Sequence, residues 1–407
     1  MASPVSDTIL VINAGSATIK FTLYEVDAAA NAPLLRYRGL VEQTEGQGRF
    51  TVSDARGMTM VDQMIVADDQ TGTDPARLLH VALEWLEPHA SGMQLIAAGH
   101  RVVHGGARHA APVRIDDDIM AYLESLTPLA PLHQAHNLAA IRAIERWRSG
   151  IPQVACFDTA FHRTQTKAAQ MYALPRHCWE EGIRAYGFHG ISYEYIAGIL
   201  PQYLGARADG RLIIAHLGGG ASLCAIHNRR SVATTMGLTA LDGLVMGTRC
   251  GAIDPGVVLH LIQAKKMGVA AVNDMLYRQS GLLGVSGLSA DMRALLSSDA
   301  PAAAEAVDLF VHRAQRQIGS LAAALGGLDG IIFTGGIGEN SAPIRERICR
   351  GLAWLGLQLD GPANQRGAPC ISRPEASVAA WVLPTDEEVT IAGHTLALLD
   401  KTPVSRI

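Results

Sequence analysis

The sequence predicts an α/β protein of two domains, and three observations carry that prediction. Apolar strands alternate with helical segments, with glycine-rich loops at the strand ends. A strand–turn–strand unit recurs about half a chain apart. The chain, at 407 residues, is too long for one ordinary hydrophobic core.

The first unit opens at Ile9-Leu10-Val11-Ile12, turns through Asn13-Ala14-Gly15-Ser16-Ala17-Thr18, and returns as Ile19-Lys20-Phe21-Thr22-Leu23 with strict apolar/polar alternation. The second runs from Leu212-Ile213-Ile214-Ala215-His216-Leu217 through Gly218-Gly219-Gly220-Ala221-Ser222 to Leu223-Cys224-Ala225-Ile226. Laying Gly15 on Gly218 superimposes them, which suggests two similarly folded halves. Any two hairpins look alike, however, and the pattern alone leaves duplication and coincidence equally open. Further along, Asp74-Pro75 opens a helix to Trp85, Leu138 to Trp147 has helical spacing, and Asp254-Pro255 opens a helix through Ile262. An alanine-rich helix is expected over Pro301 to Leu325, a strand over Asp329 to Thr334, a turn at Gly335-Gly336-Ile337-Gly338, and a helix from Ser341 to Leu355 stopped by Gly356. In such architectures ligands gather at the carboxyl ends of strands.

Composition narrows the partners. Apolar residues make up 48% and charged residues 18%, which supports large buried cores. A formal charge of −4 without a Lys/Arg-rich run argues against nucleic acid or a membrane surface and favours a small molecule. No segment approaches the roughly 18 apolar residues of a membrane span, and Met1 to Asp7 lacks a secretory pattern, so a cytoplasmic location is expected. The six cysteines are scattered without a C-x-x-C pair and read as buried or bystander thiols.

Arg, His and Asp concentrate in four segments: Gly99 to Gly106, Cys156 to His162, Tyr186 to Gly190, and Met246 to Pro255. Cations and imidazoles on glycine loops suit transfer of a dispersed negative charge, since phosphoryl transfer needs positioning and charge stabilisation more than covalent help. The Asn13-to-Lys20 turn, with two hydroxyls and one ammonium, is a candidate phosphate cradle without P-loop spacing. Taken singly, each feature is more often structural: glycine turns serve the fold, and lone arginines pair with carboxylates. The pairs His100/His104 and His133/His136 could seed a zinc site, but the first lies in a glycine-rich, non-helical context, and no acidic third ligand is nearby.

Taken together, these segments resemble the acetate kinase family, part of the superfamily that includes actin, sugar kinases and heat-shock chaperone ATPases. The likeness runs in order along nearly the whole chain: Asn13 to Lys20, Gly99 to Gly106, Pro131-Leu132-His133, Phe157 to His162, Tyr186 to Ser192, His216-Leu217-Gly218, Met246 to Arg249, Gly336 to Asn340, and Pro384 to Glu388. It implies two ribonuclease-H-like domains, 1–158 plus 385–407 on the acyl and metal side and 159–384 on the nucleotide side, with nucleotide bound in a cleft between them. It also implies roles. Arg101 would hold the carboxylate, Arg249 and His189 would stabilise the phosphoryl group in flight, and His133 would assist. Asp158 would position a neighbouring arginine or a metal-bound water. Asn13 and Glu387 would bind Mg²⁺, for which Mn²⁺ can substitute. Val103, Leu132, Phe188 and Ala240 match the methyl pocket. Lys20, His216, Leu217, Gly218, Gly219, Gly220, Asp291, Met292, Arg293, Gly336, Ile337, Gly338, Glu339 and Asn340 match the nucleotide contacts. The implied partners are ATP/ADP, acetate/acetyl phosphate and a second copy of the chain.

Several positions depart from the family pattern. Ala17 and Thr18 stand where serines are usual, Gly219 where asparagine is, Tyr193 where histidine is, Ala240 where proline is, and Ala252 where aspartate is. None removes a proposed ligand, arginine or catalytic histidine, so activity is expected and substrate range is the open question. A propionate kinase and a non-catalytic ATP-binding relative are the alternatives.

Overall fold

The computed structural model describes residues 6–15, 18–27, 29–44, 47–66, 75–89, 92–131 and 133–399. The chain divides into two compact units, Met1–Ala160 with Asp386–Ile407, and Phe161–Thr385.

Among the described residues, the first unit holds a sheet of eight strands: β1 (Ser6–Ala14), β2 (Thr18–Asp27), β3 (Ala32–Thr44), β4 (Gln47–Asp54), β5 (Thr59–Val66), β6 (Met93–Val102), β7 (Val113–Arg114) and β8 (Gln153–Phe157), in the order β5-β4-β3-β2-β1-β6-β8-β7. The run from β5 to β1 is antiparallel, whereas β1, β6 and β8 are parallel. One core cluster joins Leu10, Ile12, Phe21 and Phe50 to Leu79, Leu83 and Leu86 of the helix Pro75–His89, with Trp85 edge-on to Tyr37 and Phe50.

The second unit holds β9 (Leu212–Leu217), β10 (Ala221–His227), β11 (Arg230–Thr234), β12 (Gly330–Thr334) and β13 (Ala379–Val382), in the order β11-β10-β9-β12-β13. Again the first three strands are antiparallel and the next two parallel. The series β3-β2-β1-β6-β8 therefore has the same order and directions as β11-β10-β9-β12-β13, which is ribonuclease-H-like topology twice over. The hairpins around Gly15 and Gly218 occupy equivalent places in the two sheets. Helix Gly190–Leu204 buries Tyr193, Ile196, Leu200 and Leu204 against Ile214, Cys224, Ile332 and Trp381.

Four helix and turn assignments differ from expectation by more than one residue, three of them for a visible local reason. The helix expected from Asp74-Pro75 to Trp85 continues to His89, and Asp74 lies outside the described residues. The helix expected at Leu138 begins at Gln134, whose side chain donates to Leu123 O at 3.1 Å and so anchors the start. Gly335–Asn340 is a short helix rather than a turn, because Glu339 Oε1 accepts the Gly335 N–H at 2.8 Å and winds the glycines back on themselves. The helix expected over Ser341 to Leu355 ends at Gly351 and resumes as a 3-10 turn, Ala353–Leu355, before Gly356 at φ 93°. Gln315 from the helix Pro301–Leu325 donates to Arg347 O at 2.9 Å there, and a side chain at Gly351 would collide with it.

Candidate active site

In the first unit, the carboxyl ends of three adjacent parallel strands deliver the chemistry. Ile12 pairs with His100 and Arg101 with Cys156, so Asn13 follows on β1, Arg101 lies on β6, and Asp158 comes just past β8. The Arg101 guanidinium grips Asp158 with both ends of its fork, Nε to Oδ1 at 3.2 Å and Nη2 to Oδ2 at 2.5 Å, and Nη1 donates to Asn13 Oδ1 at 3.3 Å. Those bonds use three of the five guanidinium N–H groups and leave one on each terminal nitrogen for a ligand. Glu387 begins the helix Glu387–Leu399, accepts from Asn13 Nδ2 at 3.4 Å, and lies 3.9 Å from Arg101 Nε.

Charge crowding sets the state of this cluster. Burial raises the Glu387 carboxyl, Arg101 pulls it back, and Asp158 and Glu388 push it up again, to about 7. Burial lowers the Arg101 guanidinium, but the carboxylates beside it more than offset that, so it stays protonated. Glu387 is thus a half-buried carboxyl whose nearest cation is already gripped by another. Together with the Asn13 amide oxygen, it offers the hard oxygen donors that suit Mg²⁺.

Two close approaches hold the cluster in place. Asn137, buried on the helix Gln134–Trp147, donates to Ala14 O at 2.8 Å and accepts from Val103 N at 3.0 Å, tying the ends of β1 and β6 together. At Gly99, a side-chain carbon would come within 2.3 Å of Thr395 Oγ1 and 2.7 Å of Ile391 Cγ2, so only glycine lets the Glu387-bearing helix lie this close to β6. Neither Asn137 nor Thr395 belongs to a local motif, and no sequence signal pointed to them.

The first histidine pair has structural partners. His100 Nε2 bonds Gln153 Oε1 at 2.8 Å and burial pushes it down to about 4, while His104 Nδ1 accepts from Gly106 N at 2.8 Å. His133 stands just before the helix Gln134–Trp147, and Asn137 N donates to its carbonyl at 3.0 Å. Lys20 is exposed on β2, directly across the ladder from Asn13. Val103 is buried. Ser16, Ala17 and Leu132 lie outside the described residues.

In the second unit, His189 precedes the helix Gly190–Leu204 in the left-handed conformation, φ 58°. Non-glycine residues there cluster at functional sites, and histidine adopts this region more readily than most. Its ring stacks on His216 with centroids 4.3 Å apart, its Nδ1 meets Ser222 Oγ at 2.8 Å, and Ser192 Oγ meets His216 Nδ1 at 2.8 Å. Arg249 Nη1 donates to Ala240 O at 2.6 Å. A side-chain carbon at Gly220 would lie 2.8 Å from Arg249 Nη2 and 3.2 Å from His189 Nε2. The glycine therefore leaves open the space beside both nitrogens. Phe188 is buried, with its carbonyl held by His162 Nε2 at 2.9 Å.

The glycine loops abut at the ends of β9 and β12. A side chain at Gly218 would approach Gly336 N at 3.7 Å, and one at Gly335, where φ is 77°, would strike Leu217 O at 2.8 Å. Gly219 faces open space at an ordinary φ, and its carbonyl accepts from Gly247 N at 3.0 Å. Glu339 Oε1 accepts from Gly335 N, Thr334 Oγ1 and Thr385 N, so this carboxylate braces the loop. Asn340 Nδ2 donates to Gly336 O at 3.0 Å. Buried Arg345, unremarked in the sequence, donates to the carbonyls of Gly338 and Glu339 and anchors the same turn. Asp291 and Arg293 pair with each other at 2.8 Å on the surface, while Met292 turns into the core.

A doubled ribonuclease-H-like fold with cations and imidazoles at the strand ends defines a phosphotransferase of the actin-like ATPase type. The family model described as the acetokinase family matches residues 8–393. An acetate kinase of Rhodopseudomonas palustris is 51% identical over 399 residues, covering 97% of this chain and 99% of the relative, and one of Rhizobium meliloti is 48% identical over 97% and 98%. The crystal structure of a propionate kinase from Francisella tularensis superposes with a TM-score of 0.85 at 33% identity, over 95% of this chain and 98% of that one. That of Porphyromonas gingivalis acetate kinase superposes at 0.82 and 35%, over 97% and 100%. The chain belongs to the acetokinase family.

Proposed function

We propose that the protein transfers the γ-phosphoryl group of ATP to acetate, reversibly, giving acetyl phosphate and ADP. The observation that carries this reading is the pair of donors, Arg249 Nη2 and His189 Nε2, converging on the space kept open by Gly220. Acetate is already ionised at neutral pH, so one of its oxygens forms the new P–O bond while the bond to the ADP oxygen breaks, and no proton is transferred. The obstacle is repulsion between anions. Arg101 holds the acceptor carboxylate through its remaining N–H groups, and Asp158 fixes that guanidinium's orientation rather than acting as a base. Arg249 and His189 take up charge on the phosphoryl oxygens, where preorganised donors are worth most.

Asn13 and Glu387 would hold Mg²⁺, which supplies neutralisation of nucleotide phosphate charge when bound. His133 would assist at the acyl side, and Val103, Leu132, Phe188 and Ala240 are the residues proposed to recognise the acetate methyl group. Lys20, the loops His216 to Gly220 and Gly336 to Asn340, and Asp291 to Arg293 contact nucleotide, through backbone at Glu339 and Met292. The enzyme works in the cytoplasm, where ATP is available. A homodimer is supported by the helix Pro255–Gln263, an apolar segment with no buried residue whose Val257 and Leu259 are exposed. Light scattering on wild type and on Leu259→Asp tests it: a monomeric wild type removes the proposal.

The alternative acceptor is propionate, favoured by Ala240, where the family's usual proline ring is absent. Hydroxylamine trapping of acyl phosphate, with ATP, Mg²⁺ and either acid, decides. Acyl hydroxamate from acetate in excess supports the proposal, excess from propionate supports the alternative, and none from either acid rejects both.

A further inference from the structure

Tyr193 stands where the family usually has histidine, and its phenol reaches the same serine as His189. Tyr193 Oη lies 2.5 Å from Ser222 Oγ, which lies 2.8 Å from His189 Nδ1. Tyr193 and Ser222 are fully buried, and among the described residues Ser222 is the phenol's hydrogen-bond partner.

Proton counting orders this chain. A serine hydroxyl gives one proton and accepts others, and neutral imidazole gives from one nitrogen and accepts at the other. If Tyr193 donates to Ser222, the serine proton passes on to His189 Nδ1 and each group is satisfied. If the serine instead donated to Tyr193, the buried phenol proton would have no acceptor, which is the costlier arrangement. Burial raises the phenol well above its ordinary value, so it keeps a proton to give throughout the working pH range.

We infer that Ser222 and Tyr193 are positioning residues that fix His189 as its Nε2–H tautomer, aiming a permanent donor at the phosphoryl-transfer space beside Arg249. Around His189, the His216 imidazole stacks on its plane, Arg249 Nη2 borders the same Gly220 position as its Nε2, and the start of the helix Gly190–Leu204 adds positive potential. Behind the relay, Tyr193 meets His162 and His216 edge-on and has Cys224 as a further titratable neighbour. A histidine at 193 could itself donate, accept or titrate, and would leave the direction of the chain undecided. A tyrosine leaves one direction.

The role assigned to His189 rests on the proposed phosphoryl transfer, but its tautomer is read on the free enzyme. Nitrogen-15 correlation spectra of histidine-labelled protein, assigned by loss of a signal in His189→Gln, should show Nε2 protonated and Nδ1 bare. Ser222→Ala should give a mixture of tautomers and lower kcat about tenfold, with KM for ATP within about twofold, the size of effect that orienting partners have elsewhere. Ser222→Thr should restore both readouts. The double variant Ser222→Ala/Tyr193→Phe removes the orphaned phenol, so a kcat as low as that of Ser222→Ala, with a native melting temperature, excludes misfolding as the cause. Protonated Nδ1 in wild type, or Ser222→Ala with the spectrum and kcat of wild type, overturns the inference. A wild type that phosphorylates neither acid overturns the proposed reaction and leaves the tautomer readout standing.

Discussion

The two units share a strand order yet carry opposite chemistry at the same ends of their sheets. In the first, β1, β6 and β8 present a guanidinium locked between carboxylates and an amide. In the second, the loops after β9 and β12 present bare glycine backbone, with imidazoles, hydroxyls and a second guanidinium nearby. A repeated fold thus fixes where ligands meet backbone, while the side chains at strand ends decide which charge each half tolerates. Arg101 shows the consequence: the Asp158 carboxylate determines its orientation, whereas Arg249 donates to a backbone carbonyl, that of Ala240.

The sharpest test removes the second cation. Arg249→Ala should lower kcat about 1,000-fold with a much smaller change in KM for ATP, because lost transition-state donors cost about that much. Added guanidinium should recover part of the rate. A kcat within threefold of wild type would make Arg249 structural and erase the contrast between the units.

Acid should strike both units alike. Burial holds His100 in the first and His162 in the second at about 4, against an ordinary 6.5. The unfolded chain therefore binds more protons than the native one between those values. The stability these two histidines contribute is full above about pH 6.5 and falls as pH drops toward 4, by about 3 kcal/mol each at 1.36 kcal/mol per pH unit, while Glu387, raised to about 7, opposes part of it between its ordinary 4.5 and 7. Urea titrations at pH 7 and pH 5 should show the net loss, and His162→Gln should reduce it by removing one of the two contributions; a pH dependence unchanged in His162→Gln contradicts the assignment.

Packing under Glu387 is the next weakest point. Gly99→Ala should cost about 1–3 kcal/mol of stability by forcing the last helix off β6, and should raise the Mg²⁺ concentration giving half-maximal rate. Thr395→Ala in the same chain removes the nearest clash and should restore part of both. If Gly99→Ala leaves melting temperature and Mg²⁺ dependence unchanged, the close approach does not set the position of Glu387.

Smaller effects belong to the family departures. Ala240→Pro keeps the carbonyl that Arg249 uses but adds two carbons, and should lower kcat/KM for propionate more than for acetate, a methylene in an apolar pocket being worth about 1–3 kcal/mol. Equal effects on both acids would separate Ala240 from the acyl pocket. Gly219→Asn adds an amide in open space without backbone strain and should tighten ATP binding by about 1 kcal/mol. Weaker binding, measured by calorimetry, would refute a binding cost for the departure.

Local chemistry along the chain was enough to reveal the alanine-rich helix and the glycine loops and to suggest the repeat without separating it from coincidence, because strand alternation, helical spacing and glycine turns are written in neighbouring residues. It also marked Arg101, Asp158, His189, Arg249 and Glu387 through family motifs. It did not reveal which groups hold them. Asn137 reaches Ala14 and Val103 across long sequence separations, Thr395 closes on Gly99, and Tyr193 meets His189 through Ser222. Glu339 sits in a nucleotide motif yet spends its carboxylate on the loop itself. Sequence determined the strand ends and their candidate chemistry, since both depend on residues a few positions apart. Tertiary structure alone decided which buried polar groups satisfy one another, because that pairing follows from burial and distance between segments remote in the chain.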